Sequence, residues 1–158
     1  MRIAAWIFGL LACTTSVCGD ATAATQRSAP ISKFSGIDDV VFACTTSTTF
    51  VNIPGLSRSF TLGAGAAEEV VAMLQGSFSL NRQGSDTAFV RLLIDNVVQG
   101  PGDQVPIKGI DDSGGSTHGF NWQSKVLSPG THTVRVQWRT DLGSNLCVDA
   151  RSLIVLHK

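Results

Sequence analysis

Few residues in this chain have the types and spacing that chemistry requires. Serine, histidine and acidic side chains are all present, yet there is no Gly-x-Ser-x-Gly elbow and no strand-to-helix turn to hold a nucleophile. His118 and His132 fall on the apolar-facing parity of their runs, where a packed, hydrogen-bonded imidazole is expected rather than a general base. His157, beside the C-terminal lysine, is expected in solvent. No His-x-His, His-Glu-x-x-His or Cys-x-x-Cys spacing occurs. Asp111-Asp112, with Asp103 nearby, lacks the alternating acids and distal Glu of a calcium loop. The expectation is no catalytic residue, no metal, no cofactor and no enzyme.

Binding is the chemistry the sequence offers instead. Two alternating runs carry Asn121 and Gln123, then Arg135, Gln137 and Arg139, at positions opposite apolar partners. Planar amides and guanidinium groups on a sheet face can hydrogen-bond a glycan or a surface protein. These five residues are the expected ligand-binding set. Trp122 and Trp138 have flat faces suited to a pyranose ring, but their parity assigns both to the core.

The first residues set the compartment. Met1-Arg2 is a short positive start, Ile3 to Cys18 is uncharged and mostly apolar, and Ala21-Thr22-Ala23 is a small-x-small cleavage pattern. Residues 1–23 therefore read as a signal peptide, and the chain as secreted, to the periplasm or beyond. The run is too short, and too interrupted by Thr14, Thr15 and Ser16, for a membrane span. Leu10-Leu11-Ala12-Cys13 has the outline of a lipobox, but cleavage after Ala23 is the favoured reading. Cys13 and Cys18 then leave with the leader, and Cys44 and Cys147 are expected to form a disulfide closing a loop of about a hundred residues. Strict alternation puts Cys44 on the apolar face of its run and Cys147 on the polar face of its own, so a bulge or a strand end is needed between them.

Cleavage leaves about 135 residues, enough for one domain with its own core. Formal charge is zero, charged residues make up 15% and hydrophobic ones 43%, which excludes extensive disorder. Acids and bases are interspersed without a basic stripe, so nucleic acid is not an expected partner.

The positioning elements read as strands. Residues 24–36, small and polar with Pro30 and Gly36, form an arm or leader strand, and the domain proper spans 37–158. Glu69 to Leu80 alternates with period two, placing Val70, Ala72, Leu74, Gly76, Phe78 and Leu80 together, although Val71 and Met73 break the pattern. Phe89 to Ile94 reads as a central strand, and Asp95-Asn96 turns it back into Val97-Val98. Further on, Phe120, Trp122 and Val126 share a face, as do Val134, Val136 and Trp138. In the last run Val148, Ala150, Ile154 and Leu156 share one face while Leu153 and Val155 occupy the other. A strand apolar on both faces is covered on both or lies at a subunit interface. Eight to ten such strands, with no confident helix, make an all-β antiparallel two-sheet sandwich of jelly-roll type.

Leu127-Ser128-Pro129-Gly130-Thr131-His132-Thr133-Val134, continuing to Trp138 and followed by Leu153-Ile154-Val155-Leu156, resembles the closing strands of secreted jelly-roll modules. These include the tumour-necrosis-factor-like superfamily and some carbohydrate-binding modules, in which a Leu-x-x-Gly-x-His-x-Val turn and strand recurs. The resemblance implies a non-catalytic binding or assembly role, with trimers usual in the first group. The expected function is a binding or adhesion module for a glycan or surface protein. The alternative is a subunit of a homo-oligomer joined through its final strand, and a hydrolase without a recognisable motif comes third.

Overall fold

The computed structural model describes residues 33–39, 42–65, 67–81, 86–103, 105–107 and 116–157. The expected signal peptide with Cys13 and Cys18, most of the expected arm and the Asp111-Asp112 loop lie outside these residues. The described strands are β1 (Lys33–Asp39), β2 (Ala43–Thr45), β3 (Val51–Leu62), β4 (Val71–Asn81), β5 (Ala88–Ile94), β6 (Val97–Val98), β7 (Val105–Ile107), β8 (Ser116–Gln123), β9 (Gly130–Thr140) and β10 (Asn145–His157). No helix among the described residues is long and apolar enough to cross a membrane.

Pairing is antiparallel throughout. Sheet I runs β1-β10-β4-β8, with β2 also on β10, and sheet II runs β3-β9-β5-β6, with β7 also on β5. β1 pairs Arg151 to His157 while β2 pairs Leu146 to Val148, so the two continue one another along a single edge of β10. First and last strands are thereby neighbours, and the chain crosses between sheets at every step from β2 to β5 and from β7 to β10, the topology of a jelly roll. The domain boundary drawn at residue 37 falls inside β1, which begins at Lys33.

Alternation in the sequence becomes burial in the structure. In β4, Ala72, Leu74, Phe78 and Leu80 enter the core, as do Val134, Val136 and Trp138 from β9. Trp122 and Trp138 are almost fully buried, as their parity predicts. Asp95 and Asn96 adopt φ of 51° and 69°, the left-handed pair of a two-residue hairpin turn. Gly76 faces inward where a Cβ would stand 2.8 Å from Phe78, so this core position admits no side chain without displacing the ring.

Four expectations are corrected. The last strand contains a bulge between Val148 and Arg151, and the extra residue reverses its parity. Leu153 and Val155 are consequently fully buried in the core, while Ala150 is exposed and Ile154 and Leu156 are half-buried on the outer side. The final strand therefore has no subunit interface at Leu153 and Val155. Val126 is 58% exposed because β8 ends at Gln123 and Ser124 turns inward, its hydroxyl accepting the Val70 N–H (2.8 Å). His157 is buried against Phe60 rather than solvated. Cys44 lies on the outer side of its strand, since its neighbour Ala43 packs on the core, and it sits directly opposite Cys147. The disulfide is present, linking β2 to β10 across 103 residues.

The bulge in β10 has a counterpart in β3, where register shifts between Asn52 and Ser57 and Gly55 takes φ 78°. Arg151, turned inward by its own bulge, donates from Nη2 to the Pro54 carbonyl at 2.8 Å. The two irregularities face each other, and one guanidinium ties the sheets together.

Candidate functional site

The outer face of sheet II carries the densest polar network among the described residues. Asn52 on β3, Gln137 on β9 and Arg91 on β5 stand opposite one another on adjacent strands. The Arg91 Nε donates to Gln137 Oε1 at 2.8 Å, and Gln137 Nε2 donates to Asn52 Oδ1 at 2.9 Å. The row is thus a hydrogen-bonded chain of planar side chains across three strands, which fixes the position of each. Along one side of it Arg135 donates to Asn96 Oδ1 at 2.7 Å. On the other side Arg139 pairs with Asp141 and lies 4.4 Å from the Phe89 ring centroid, while Arg91 lies 4.0 Å from that of Phe50. These are cation–π distances, and they restrain both guanidinium groups beside the rings.

The Asp141 end of this face rests on Asp86, which has no exposed surface. Asp86 Oδ1 accepts the N–H groups of Thr87, Asp141 and Leu142, and Oδ2 accepts that of Ser144, all within 2.9 Å. Burial pushes the Asp86 carboxyl upward, but the donors from Ser144, Leu142 and Thr87 outweigh it and hold the pKa below 3.8. One carboxylate therefore shapes the turn that presents the partner of Arg139.

The opposite end is held by His132. Its Nδ1 donates to Asp95 Oδ2 at 2.6 Å and its Nε2 donates to the Ser128 carbonyl at 2.8 Å. Both ring nitrogens face acceptors, so the imidazolium form satisfies both and leaves neither nitrogen free for proton transfer. This gives the Leu-x-x-Gly-x-His-x-Val pattern a physical meaning. Gly130, at φ 136°, turns the chain, and the histidine clasps the carbonyl four residues before it. Burial lowers the His132 pKa, but the bonds to Asp95 and Ser128 outweigh it, and the net shift is upward from 6.5. Asp95 is pushed up by burial and pulled further down by His132 and the Thr133 N–H, ending below 3.8.

The sign of the pH dependence follows. His132 stabilises the fold fully below the unfolded imidazole pKa, and its contribution is lost as pH rises through the higher folded value. Asp95 contributes above 3.8 and loses its contribution as pH falls through the lower folded value. Thermal denaturation is therefore expected to show greatest benefit from this pair in mildly acid solution. His132→Asn should lower stability in mildly acid solution by about 1 kcal/mol, a modest figure because Asp95 is partly screened by solvent. The difference from wild type should shrink as pH rises through the folded His132 pKa.

The structure does not bring the five sequence-predicted binding residues together. Arg135, Gln137 and Arg139 share the outer face of sheet II, whereas Asn121 and Gln123 lie on β8, on the outer face of sheet I. Those two instead line an open depression with Glu69, Gly100, Pro101 and Lys125, where Gln123 donates to Glu69 at 2.6 Å. Ser116 and His118 are hydrogen-bonded at 2.6 Å, but His118 packs between Phe78 and Phe120 and no carboxylate among the described residues orients it. Among the described residues no three His, Cys, Asp or Glu side chains gather as a metal site.

Sequence reasoning missed Asn52, Phe50, Phe89, Arg91 and Asn96 as members of the sheet II face. Arg91 had a readable signal, since a charge inside the otherwise apolar Phe89 to Ile94 run must point outward. Asn52 and Phe50 had none, because the β3 bulge breaks the alternation beside them.

No protein-family model matches the sequence, and no curated protein matches it. Among solved structures, the C-terminal domain of EclA, a sugar-binding protein, aligns over 85% of this chain and 86% of its own at 11% identity and TM-score 0.41. A native family 35 carbohydrate-binding module from Clostridium thermocellum aligns over 77% and 89% at 13% identity and TM-score 0.36. A family 35 module from an environmental isolate aligns over 73% and 89% at 14% identity and TM-score 0.37. These structures give no support to the tumour-necrosis-factor-like side of the expected resemblance. Scores and identities of this size assign neither a family nor a ligand to the chain, whose own topology defines it as a jelly-roll β-sandwich.

Proposed function

We propose that this chain is an exported, non-catalytic binding module whose ligand, a glycan, lies along the outer face of sheet II. The observation that supports the reading is the Asn52–Gln137–Arg91 row. Its side chains are already ordered by bonds to one another, so little conformational freedom remains to be lost on binding. The amides and guanidinium groups keep donor and acceptor capacity beyond these bonds, which suits them to sugar hydroxyls. His132, with both nitrogens engaged, supplies no base for a hydrolytic alternative.

Affinity electrophoresis against a panel of soluble polysaccharides tests this. Retardation of the oxidised protein is expected in at least one gel, and Gln137→Ala should weaken it by about tenfold, equivalent to one lost pair of hydrogen bonds. Unchanged retardation of a folded Gln137→Ala protein contradicts the assigned face.

A second reading, self-association, has its own observation. Val71 and Met73 on β4 stand beside Leu156 and Ile154 on β10, forming an apolar group on the outer face of sheet I. Assembly through that group, rather than through Leu153 and Val155, makes an oligomer detectable by light scattering and abolished by Met73→Asp. A monomeric wild-type protein contradicts it.

A further inference from the structure

The sheet II face differs from an ordinary polar surface in the way its charges are matched. Arg139 is neutralised by Asp141. Arg91 and Arg135 form no direct ion pair among the described residues, and each hydrogen bond they make goes to a neutral amide oxygen, while Asp95, itself paired with His132, attracts Arg135 through space. Both are half-buried. Arg91 stands opposite Gln137, and Arg135 is two residues along the same neighbouring strand, a diagonal spacing of about 7–8 Å between backbones. Two guanidinium groups with partly unused donors therefore lie on one sheet face, Arg91 leaning onto Phe50 and Arg135 toward Asn96, in a chain of zero formal net charge.

The aromatic groups indicate what this face does not suit. Flat rings bind neutral sugars by stacking, but Arg91 occupies a face of Phe50 and Arg139 a face of Phe89. Trp122 and Trp138 are in the core, and the chain has no tyrosine. The groups left to recognise a ligand are guanidinium forks, whose planar, divergent donors match the two oxygens of a carboxylate.

Building on the binding reading above, we infer that the ligand is an acidic polysaccharide of the polyuronate class, with its sugar carboxylates engaged by Arg91 and Arg135. The Gln137 and Asn52 amides then contact ring hydroxyls between the charged positions. Such binding is ionic at a solvent-accessible face, so it weakens as salt rises.

The test measures binding of the oxidised protein to sodium polygalacturonate, to its methyl ester, to dextran sulfate and to a neutral glucan. Polygalacturonate is expected to bind in low salt, and the methyl ester, with the same backbone and no charge, at least about tenfold more weakly. The Arg91→Gln/Arg135→Gln protein should lose binding to a similar extent. Should that variant fail to fold, Arg135→Gln alone decides, since its side chain bonds only to exposed Asn96. Equal binding of the ester or the neutral glucan, still sensitive to Gln137→Ala, overturns the acidic class and leaves glycan binding standing. Dextran sulfate binding as well as polygalacturonate overturns the carboxylate assignment in favour of simple charge attraction. Binding to none of the four overturns the polyuronate assignment, as does polygalacturonate binding that ignores both arginines, while retardation by another member of the polysaccharide panel keeps glycan binding standing.

Discussion

Replacing Cys44 and Cys147 by serine is expected to lower the free energy of unfolding by about 4–5 kcal/mol. The bond joins β2 to β10 and encloses almost all of the described domain, its ends separated by 103 positions in the sequence. Closing so long a loop removes much of the freedom of the denatured chain while leaving the native pairing unchanged. Domains of this size have total stabilities of about 5–15 kcal/mol, so the loss is a large fraction of the whole. Urea titrations of oxidised and reduced protein measure it directly. A difference below about 1 kcal/mol contradicts the expectation and implies that the denatured chain already holds its ends together.

Asp86→Ala comes next, with an expected cost of about 3–5 kcal/mol. The substitution leaves four backbone N–H groups, from Thr87, Asp141, Leu142 and Ser144, without their common acceptor. Asp86→Asn is expected to rescue little. Its oxygen can replace Oδ1, but its amide group then meets the Ser144 N–H, donor against donor. The pH dependence gives an independent check. Because the folded carboxyl sits below 3.8, its contribution is present above that value and disappears as pH falls through the folded pKa. Wild type and Asp86→Asn should therefore converge in stability in strong acid and diverge toward neutral pH. A constant difference across that range contradicts a charged Asp86. The same variants should also loosen Asp141, and with it Arg139, linking this stabilising anchor to the binding face.

Much of the architecture was legible in the residues. Period-two alternation gave the inward faces of β4 and β9, the Asp95-Asn96 turn gave the β5–β6 hairpin, and two cysteines gave the bond between neighbouring strands. The errors within β10 share one physical origin, because parity is carried along a strand only until a bulge adds a residue. Past Val148 every assignment in β10 inverted, and Leu153 and Val155 moved from a supposed interface to the core. The binding set failed differently. Alternation separates outward from inward but does not say which sheet a strand joins, so Asn121 and Gln123 were grouped with arginines on the other face of the sandwich. Asp86 lay beyond reach altogether, since its donors come from residues 141–144 and no local pattern reveals such a partnership.

The central claim is that ligand binds along the outer face of sheet II. Two-dimensional amide NMR spectra of the oxidised protein, recorded during titration with the polysaccharide that retards it most, test this most directly. The account predicts that the perturbed signals group on Asn52, Arg91, Asn96, Arg135 and Gln137, including the side-chain amides of Asn52 and Gln137. Perturbations grouped instead on Glu69, Asn121, Gln123 and Lys125 would contradict it and move the site to the depression beside β8.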